Sequence, residues 1–232
     1  MTYVPIRLIS TLGMRGVMTE ITPLLVKNGL DFTPTYGATK LLTQKLAAGE
    51  TGEVAILTDE AIAALTASGT IAADSRRDLA RSAIGIAVAP GAAKPYFRTA
   101  EAFKQTMLAA RSIAYSKSGA SGLHFADLIR RLGIADEVNR KARILDGVVG
   151  ELVARNEVDL AVQQISELKL VPGIEIVGAL PDELQKITTF SAGIFAASTR
   201  PAAARLLITA LATPEVAAVM RKQGMEPVAA VR

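Results

Sequence analysis

The apolar and polar positions of this chain alternate between short β-branched runs and longer stretches with helical spacing. Short runs such as Ile6–Ser10 have the length and residue types of buried strands. After Gly13 the apolar residues recur every three or four positions, which is typical of an amphipathic helix. Strands that alternate with helices predict an α/β fold with mostly parallel sheets. The predicted strands are Ile6–Ser10, Asp31–Tyr36, Glu53–Thr58, Ile84–Ala89, Ser112–Tyr115, Asp159–Gln163, Glu175–Leu180 and Thr188–Ala196.

Capping residues set several helix boundaries. Asp59 is expected to open a helix that ends before Gly69, and Thr99 is expected to cap another. The C-terminal helices Pro201–Ala212 and Pro214–Gly224 each begin with proline, which is favoured in the first helical turn. These signals predict where the helices begin and end between the strands.

One arrangement occurs four times: an apolar strand, a loop of small and hydroxyl residues, and then a helix. A helix N-terminus has backbone N–H groups without intrahelical partners and a partial positive charge, so it suits an anion. Small residues at the turn let a ligand approach the backbone closely. The arrangement therefore predicts binding of a small anion, at the segments Ile6–Gly16, Phe32–Leu42, Ser112–Phe125 and Ala142–Leu152.

Two similar segments interrupt the alternation of helix and strand. Leu79–Val88 and Thr188–Ala197 both run from polar to apolar residues, with Ser and Gly near the middle. Two antiparallel crossover strands at these positions would divide the chain into two lobes. Lobe I would hold residues 1–82 plus 194–232, and lobe II residues 83–193. A cleft between two such lobes is a common site for a small ligand.

Composition narrows the classes of partner. The chain has 232 residues, of which 50% are hydrophobic and 21% charged, and this balance predicts a folded protein. Aromatic residues make up only 4%, without Trp, which argues against stacking platforms for nucleic acid. A formal net charge of +4 favours anionic partners. The basic residues are scattered, however, so no nucleic-acid partner is predicted.

Several kinds of chemistry are excluded by missing residues and motifs. The chain has no Cys and one His, so thiol catalysis and a multi-histidine metal site are excluded. The motifs GxGxxG, GxxxxGK[ST], GxSxG and HExxH are absent. We expect no metal and no cofactor. We also expect no direct membrane insertion, because no apolar run approaches the ~20 residues of a membrane span.

Eight segments that follow one another along nearly the whole chain carry a family resemblance. The chain resembles the type II periplasmic solute-binding proteins, in the branch similar to molybdate-binding proteins. The segments are Leu8–Gly16, Tyr36–Leu46, Glu53–Leu57, Leu79–Val88, Ile113–Gly133, Gly150–Leu168, Leu184–Gly193 and Thr213–Pro227. The resemblance implies two α/β lobes joined by crossover strands, which close over a small anion by a hinge motion.

The same branch includes enzymes similar to aconitate isomerase, so the resemblance leaves two functions open. In the first, the chain is a monomeric solute-binding protein for an ABC importer permease, or a sensor. In the second, it is a cofactor-free isomerase of a small unsaturated polycarboxylate. The compartment is expected to be periplasmic if a signal peptide has been removed, and cytoplasmic if Met1 is native.

The family's ligand contacts, carried over by position, fall on the four loops. Hydroxyl and backbone N–H groups can hold an oxyanion without a full positive charge. The alternative is that the Ser and Thr residues only cap helices. The predicted contacts are Ser10, Thr11, Ala38, Thr39, Ser118, Gly119, Ala120, Ser121, Gly122, Val148 and Val149.

Basic residues near the loops bear on the kind of anion. Lys40 follows the second loop, where a molybdate-type site is expected to be neutral, and Arg81 lies at the first crossover. Arg15 and Lys117 lie close to the first and third loops. If two or three of these groups face the ligand, a di- or tricarboxylate is favoured over a compact oxyanion. The alternative is that they are solvated surface charges.

The remaining candidates concern catalysis and hydrogen bonding to the ligand. His124 begins the helix after the third loop and could carry a proton near neutral pH. Lys40 is the other candidate catalytic group. Gln163 and Gln164 end a strand, and one of them is expected to reach the ligand by hydrogen bonding, because alternate residues point to opposite faces; Gln163 is the candidate.

Overall fold

A computed structural model describes residues 5–228 and divides the chain into two compact units. Unit 1 is Met1–Ser82 with Thr188–Arg232, and unit 2 is Ala83–Ile187. The chain therefore leaves unit 1 once and returns to it once. The ligand cleft that the sequence predicted between the lobes stays a prediction.

Strands and helices alternate through most of the described residues. The strands are β1 (Ile6–Thr11), β2 (Phe32–Gly37), β3 (Val54–Thr58), β4 (Arg77–Ser82), β5 (Ile84–Val88), β6 (Ile113–Ser116), β7 (Ala142–Leu145), β8 (Leu160–Gln164), β9 (Glu175–Ala179), β10 (Thr188–Ile194) and β11 (Glu226–Pro227). The α-helices are α1 (Arg15–Lys27), α2 (Thr39–Ala47), α3 (Asp59–Ala67), α4 (Ala100–Ala109), α5 (Ala120–Arg131), α6 (Ala135–Arg140), α7 (Gly150–Ala154), α8 (Ile165–Leu168), α9 (Pro201–Ala210) and α10 (Pro214–Lys222). Short 3-10 turns occupy Leu12–Met14 and Asp182–Leu184.

The sheet of unit 1 has the strand order β11-β4-β10-β3-β1-β2. β1 pairs in parallel with β2 and β3, whereas β10 runs antiparallel to β3 and β4. Strands β1, β2, β3 and β4 therefore end at one edge of the sheet, where β10 begins. We call this the carboxyl edge of unit 1.

Alternate residues of a strand point to opposite faces of the sheet, so both faces of unit 1 carry an apolar core. Leu8 belongs to the core that packs against α1, α9 and α10, and its neighbour Ile9 belongs to the core that packs against α2 and α3. Apolar side chains on both faces explain why the strands read as continuous apolar runs.

The sheet of unit 2 has the strand order β7-β6-β8-β5-β9. β6 is parallel to β7 and β8, and β5 is antiparallel to β8 and β9. The parallel strands end at the carboxyl edge of unit 2. One core lies around Phe103, Tyr115 and Phe125, and a smaller one lies around Val149 and Leu168.

The structure corrects one boundary of the predicted architecture. Both sheets combine parallel strands with antiparallel ones, and the antiparallel strands β5 and β10 lie next to the crossovers, where the sequence predicted them. β10 also pairs along its length with β3 and β4, so residues 188–193 belong to unit 1 rather than to the second lobe. The first crossover lies at Ser82–Ala83, where the sequence placed it.

Within the described residues, no single helix has the length and apolar character needed to cross a membrane. Helices α9 and α10 meet that test only when taken together as a pair bent by 62°.

Candidate functional site

The first two loops begin side by side at the carboxyl edge of unit 1. Ser10 pairs with Tyr36 and Thr11 pairs with Gly37 in the parallel register of β1 and β2. Ser10 and Thr11 are buried, and the Ser10 hydroxyl donates a 3.3 Å hydrogen bond to the carbonyl oxygen of Thr11. The predicted contacts of these two loops therefore lie on neighbouring strands.

The hydroxyl groups of the first three loops do not cap the helices that follow them, and the fourth loop has no hydroxyl residue. The capping positions of the Leu12–Met14 turn, α2, α5 and α7 are Thr11, Ala38, Gly119 and Val149, and none makes a side-chain capping bond within the described chain. By contrast, Thr58, Thr99 and Thr213 accept such bonds at the starts of α3, α4 and α10. The helix-cap alternative is therefore wrong for these loops.

Two cations lie beside the loops of unit 1. Arg15 is the first residue of α1 and Lys40 the second of α2, and both are exposed. Burial raises the pKa of Tyr36 to about 12, and the nearby charge of Arg15 acts in the opposite direction. Arg81 is also exposed, one residue before the end of β4.

The third loop, in unit 2, is packed tightly onto the end of β6. The hydroxyl of Ser116 accepts a 2.9 Å hydrogen bond from the N–H of Gly119. A Cβ atom on Gly122 would lie 1.7 Å from the Ser116 carbonyl oxygen, so only glycine fits there. Helix α5 therefore starts directly against the strand, with Ala120 as its first residue.

Ser121 has a buried hydroxyl group in the first turn of α5. Only 1% of the residue is exposed, and its Oγ has no hydrogen-bond partner among the described residues. An unpaired buried hydroxyl costs free energy, so natural structures usually give it a partner. Together with the uncapped N-terminus of α5, this hydroxyl provides hydrogen-bonding groups for an anion.

The fourth loop is held by the amide of Gln163. Its Oε1 accepts the N–H of Val149 at 2.9 Å, and its Nε2 donates to the carbonyl of Gly147 at 2.9 Å and to the carboxyl group of Glu167. Gln163 is fully buried. It therefore supports the loop, and its contact with a ligand stays a prediction.

The hydrogen bonds of Gln163 also bear on the prediction that Val148 and Val149 contact the ligand through their backbone N–H groups. The N–H of Val149 is occupied by Gln163, so of these two residues only Val148 has an N–H that remains a candidate. Burial raises the pKa of Glu167 to about 7, although the hydrogen bond from Gln163 favours the charged form. The loop thus rests on a buried carboxyl group, which sequence reasoning missed.

A second carboxyl group, Asp146, lies among the loops of unit 2. The buried hydroxyl of Ser118 donates to Asp146 Oδ1, which joins the third loop to the fourth. Asp146 itself is exposed. Sequence reasoning missed this contact, and the only available signal was the position of an Asp directly after a strand in one of the repeated segments.

The remaining candidates are Lys117 and His124. Lys117 is exposed, and its backbone N–H donates to the carbonyl of Leu145 at 3.0 Å. His124 Nε2 lies 2.8 Å from the carbonyl oxygen of Leu184, so this nitrogen carries the proton and donates it. The ring is therefore partly occupied by a structural contact. Residues 5–228 contain no cluster of three or more His, Cys, Asp or Glu side chains suited to a metal ion.

Comparison with solved structures supports the fold. The periplasmic molybdate-binding protein of Azotobacter vinelandii aligns with a TM-score of 0.78, at 16% identity over 95% of this chain and 98% of that chain. The sulfate-binding protein SubI of Mycobacterium tuberculosis H37Rv aligns with a TM-score of 0.75, at 14% identity over 97% of this chain and 87% of that chain.

Comparison of sequences shows the family. An aconitate isomerase from Pseudomonas sp is 39% identical over 230 residues, which span 96% of this chain and 87% of that protein. Residues 6–226 match the family described as bacterial extracellular solute-binding protein. The match covers nearly all of the described strands and helices, and the chain therefore belongs to the bacterial extracellular solute-binding protein family.

Proposed function

We propose that this protein binds a small di- or tricarboxylate anion. The observation that carries the proposal is the buried Ser121 hydroxyl, without a partner in the described chain, in the first turn of the uncapped helix α5. A carboxylate at this position would accept hydrogen bonds from Ser121 and from first-turn N–H groups, and the helix dipole would favour its charge. The family and its anion-binding structural neighbours are consistent with this ligand class.

Charge favours a carboxylate over a compact oxyanion such as molybdate. Arg15 and Lys40 are exposed at the starts of two loop helices, where they are suited to pairing with carboxylate groups. The relative that is 39% identical is named for aconitate, a tricarboxylate. We therefore assign the ligand to the small polycarboxylates.

A thermal-shift panel tests this assignment. Citrate, trans-aconitate and malonate are compared with molybdate, tungstate and sulfate at equal ionic strength. We expect at least one carboxylate to raise the melting temperature and the oxyanions to leave it unchanged, because only a ligand that binds the folded state stabilises it. A response to oxyanions alone would contradict the carboxylate assignment, and no response at all would contradict anion binding.

A second candidate function is isomerisation of a small unsaturated polycarboxylate. It is favoured by the 39% identity to an aconitate isomerase across 96% of the chain. The reaction requires a group that removes a proton from carbon and returns one to another carbon, without a cofactor. Incubation with trans-aconitate in D2O, followed by proton NMR, tests it: turnover gives cis-aconitate, and exchange gives loss of the methylene signal.

The partner and the compartment are part of the same proposal. As a binding protein, the chain would deliver its ligand to an ABC importer permease or serve a sensor, and it would act as a monomer. It would be periplasmic if a signal peptide is removed and cytoplasmic if Met1 is native. N-terminal sequencing of the protein purified from its own cells distinguishes these cases, and light scattering gives its mass.

A further inference from the structure

The loops of unit 2 contain a negative charge that capture of an anion does not require. Asp146 follows β7 directly and belongs to the fourth of the repeated strand-loop-helix segments. Its carboxylate has no ion pair with Lys, Arg or His within residues 5–228. A carboxylate beside an anion site lowers affinity by repulsion, so its presence there favours a chemical role.

The position of this carboxylate is fixed by two strands. The hydroxyl of Ser118 donates to Asp146 Oδ1, and Ser118 lies two residues after the end of β6. Backbone bonding secures the same junction, since the N–H of Lys117 donates to the carbonyl of Leu145 at 3.0 Å. One carboxylate oxygen is thereby held, while Asp146 remains exposed and its other oxygen is available to accept a proton.

Asp146 is connected to the proposed carboxylate anchor through Ser118. Ser118 immediately precedes Gly119, the capping residue of α5, and Ser121 is in the first turn of that helix. In aconitate the acidic methylene carbon is bonded directly to a carboxylate carbon. A carboxylate held at the N-terminus of α5 would therefore place the methylene within reach of Asp146, which is hydrogen-bonded to Ser118.

We propose that Asp146 is the catalytic base that moves the proton in an allylic isomerisation, with Ser118 as its positioning residue. This inference rests on the isomerase function proposed above. The Asp146 carboxylate takes a proton from the methylene carbon, and the electron pair of that C–H bond becomes the new C=C bond. The electron pair of the former C=C bond takes a proton at its far carbon, and Asp146 returns to its ionised form. The reaction consumes and releases no net proton or electron.

The test compares the wild type with Asp146→Asn. Asn keeps an oxygen that can accept the Ser118 hydroxyl but cannot remove a proton from carbon. We expect kcat for trans-aconitate and deuterium incorporation in D2O to fall by at least about 100-fold. We expect the dissociation constant to stay within about threefold, or to tighten, because a repulsive charge has been removed. Asp136→Asn, an exposed change in α6, is the matched control and is expected to keep full activity.

Each outcome has one meaning. An Asp146→Asn protein that binds trans-aconitate, melts like the wild type and has lost turnover supports the assignment. If Asp146→Asn isomerises at a rate within about threefold of the wild type, the assignment is overturned and the isomerase function stands. If the wild type binds trans-aconitate with neither turnover nor exchange, the isomerase function and the role of Asp146 are overturned together, and anion binding stands.

Discussion

The loops of the two units carry the same strand-loop-helix arrangement but differ in how they are held. In unit 1, Ser10 and Thr11 are buried at the end of β1, and the charged residues beside them, Arg15 and Lys40, are exposed. In unit 2, the side chain of Gln163 holds the fourth loop, and the bond from Ser118 to Asp146 joins the third loop to the fourth. The loops of unit 1 therefore carry exposed positive charge. Those of unit 2 carry hydrogen-bond donors in fixed positions and the two carboxyl groups of Asp146 and Glu167.

This difference shows that similar local sequences can serve different tasks. A buried polar network is stable only when its members are satisfied, and such a network holds its loop rigidly. An exposed Lys or Arg keeps its rotamer freedom and loses it only when a ligand binds. The loops of unit 2 are thus suited to fixing the orientation of a bound group, and those of unit 1 offer mobile positive charge.

The largest effect is expected from Gly122→Ala, which tests the packing of α5 in unit 2. The new Cβ would lie 1.7 Å from the backbone oxygen of Ser116, so the helix must move. We expect a loss of at least about 3 kcal/mol in the free energy of unfolding, measured in urea, and loss of ligand binding. In unit 1, Gly13→Ala is the matched control. The three atoms nearest to its Cβ all belong to the Phe190 side chain, the first at 2.5 Å, and we expect a loss of about 1–2 kcal/mol in the free energy of unfolding. Equal losses of unfolding free energy in the two variants would contradict the proposed difference between the units.

The next largest effect is expected in the pH dependence of stability, which Glu167 causes. Because burial raises its pKa to about 7 from 4.5, its contribution to stability is full below about pH 4.5 and is lost as the pH rises through 7. We expect the free energy of unfolding of Glu167→Gln to be higher than that of the wild type by roughly 2–3 kcal/mol at pH 8, and to differ little from it at pH 5. Urea unfolding at both pH values measures this. Glu215→Gln, an exposed change in unit 1, is expected to show no such pH dependence.

A smaller effect is expected from Lys40→Met, which tests the positive charge of unit 1. If the ammonium pairs with a carboxylate of the ligand, calorimetric titration is expected to show a loss of affinity of about 10-fold to 100-fold. The melting temperature of the free protein is expected to stay the same. Lys45→Met, on the same helix but facing Glu50 at 3.8 Å, is the control and is expected to leave affinity unchanged. Equal affinities for Lys40→Met and the wild type would remove Lys40 from the site.

The smallest effect is expected from Ser121→Ala. Removal of a buried hydroxyl without a partner in the described chain is expected to keep the free energy of unfolding constant or raise it by about 1 kcal/mol. Affinity for the best carboxylate is expected to fall about threefold to tenfold. Thr99→Ala gives the opposite pattern, because Thr99 caps α4: stability falls by about 1 kcal/mol and affinity is unchanged. A Ser121→Ala protein that loses stability but keeps affinity would show a structural role.

The sequence was sufficient where the signal is local. The apolar runs located β1, β3 and β6 to within one or two residues, because a buried strand leaves a continuous apolar pattern. The Thr99 cap and the Gly69 turn, with φ of 75°, were confirmed for the same reason. The chain order of eight family segments was enough to indicate the fold and the family.

Contacts between distant residues were decided only by the tertiary structure. Ser118 and Asp146 are 28 residues apart, and no spacing rule relates them until β6 and β7 pair. Gln163 lies near the end of β8, where a ligand contact was predicted, and its amide binds Val149 and Gly147. The membership of β10 in unit 1 likewise depended on its pairing with β3 and β4. Local pattern fixes which residues form an element, whereas the partner of a side chain depends on which elements the fold brings together.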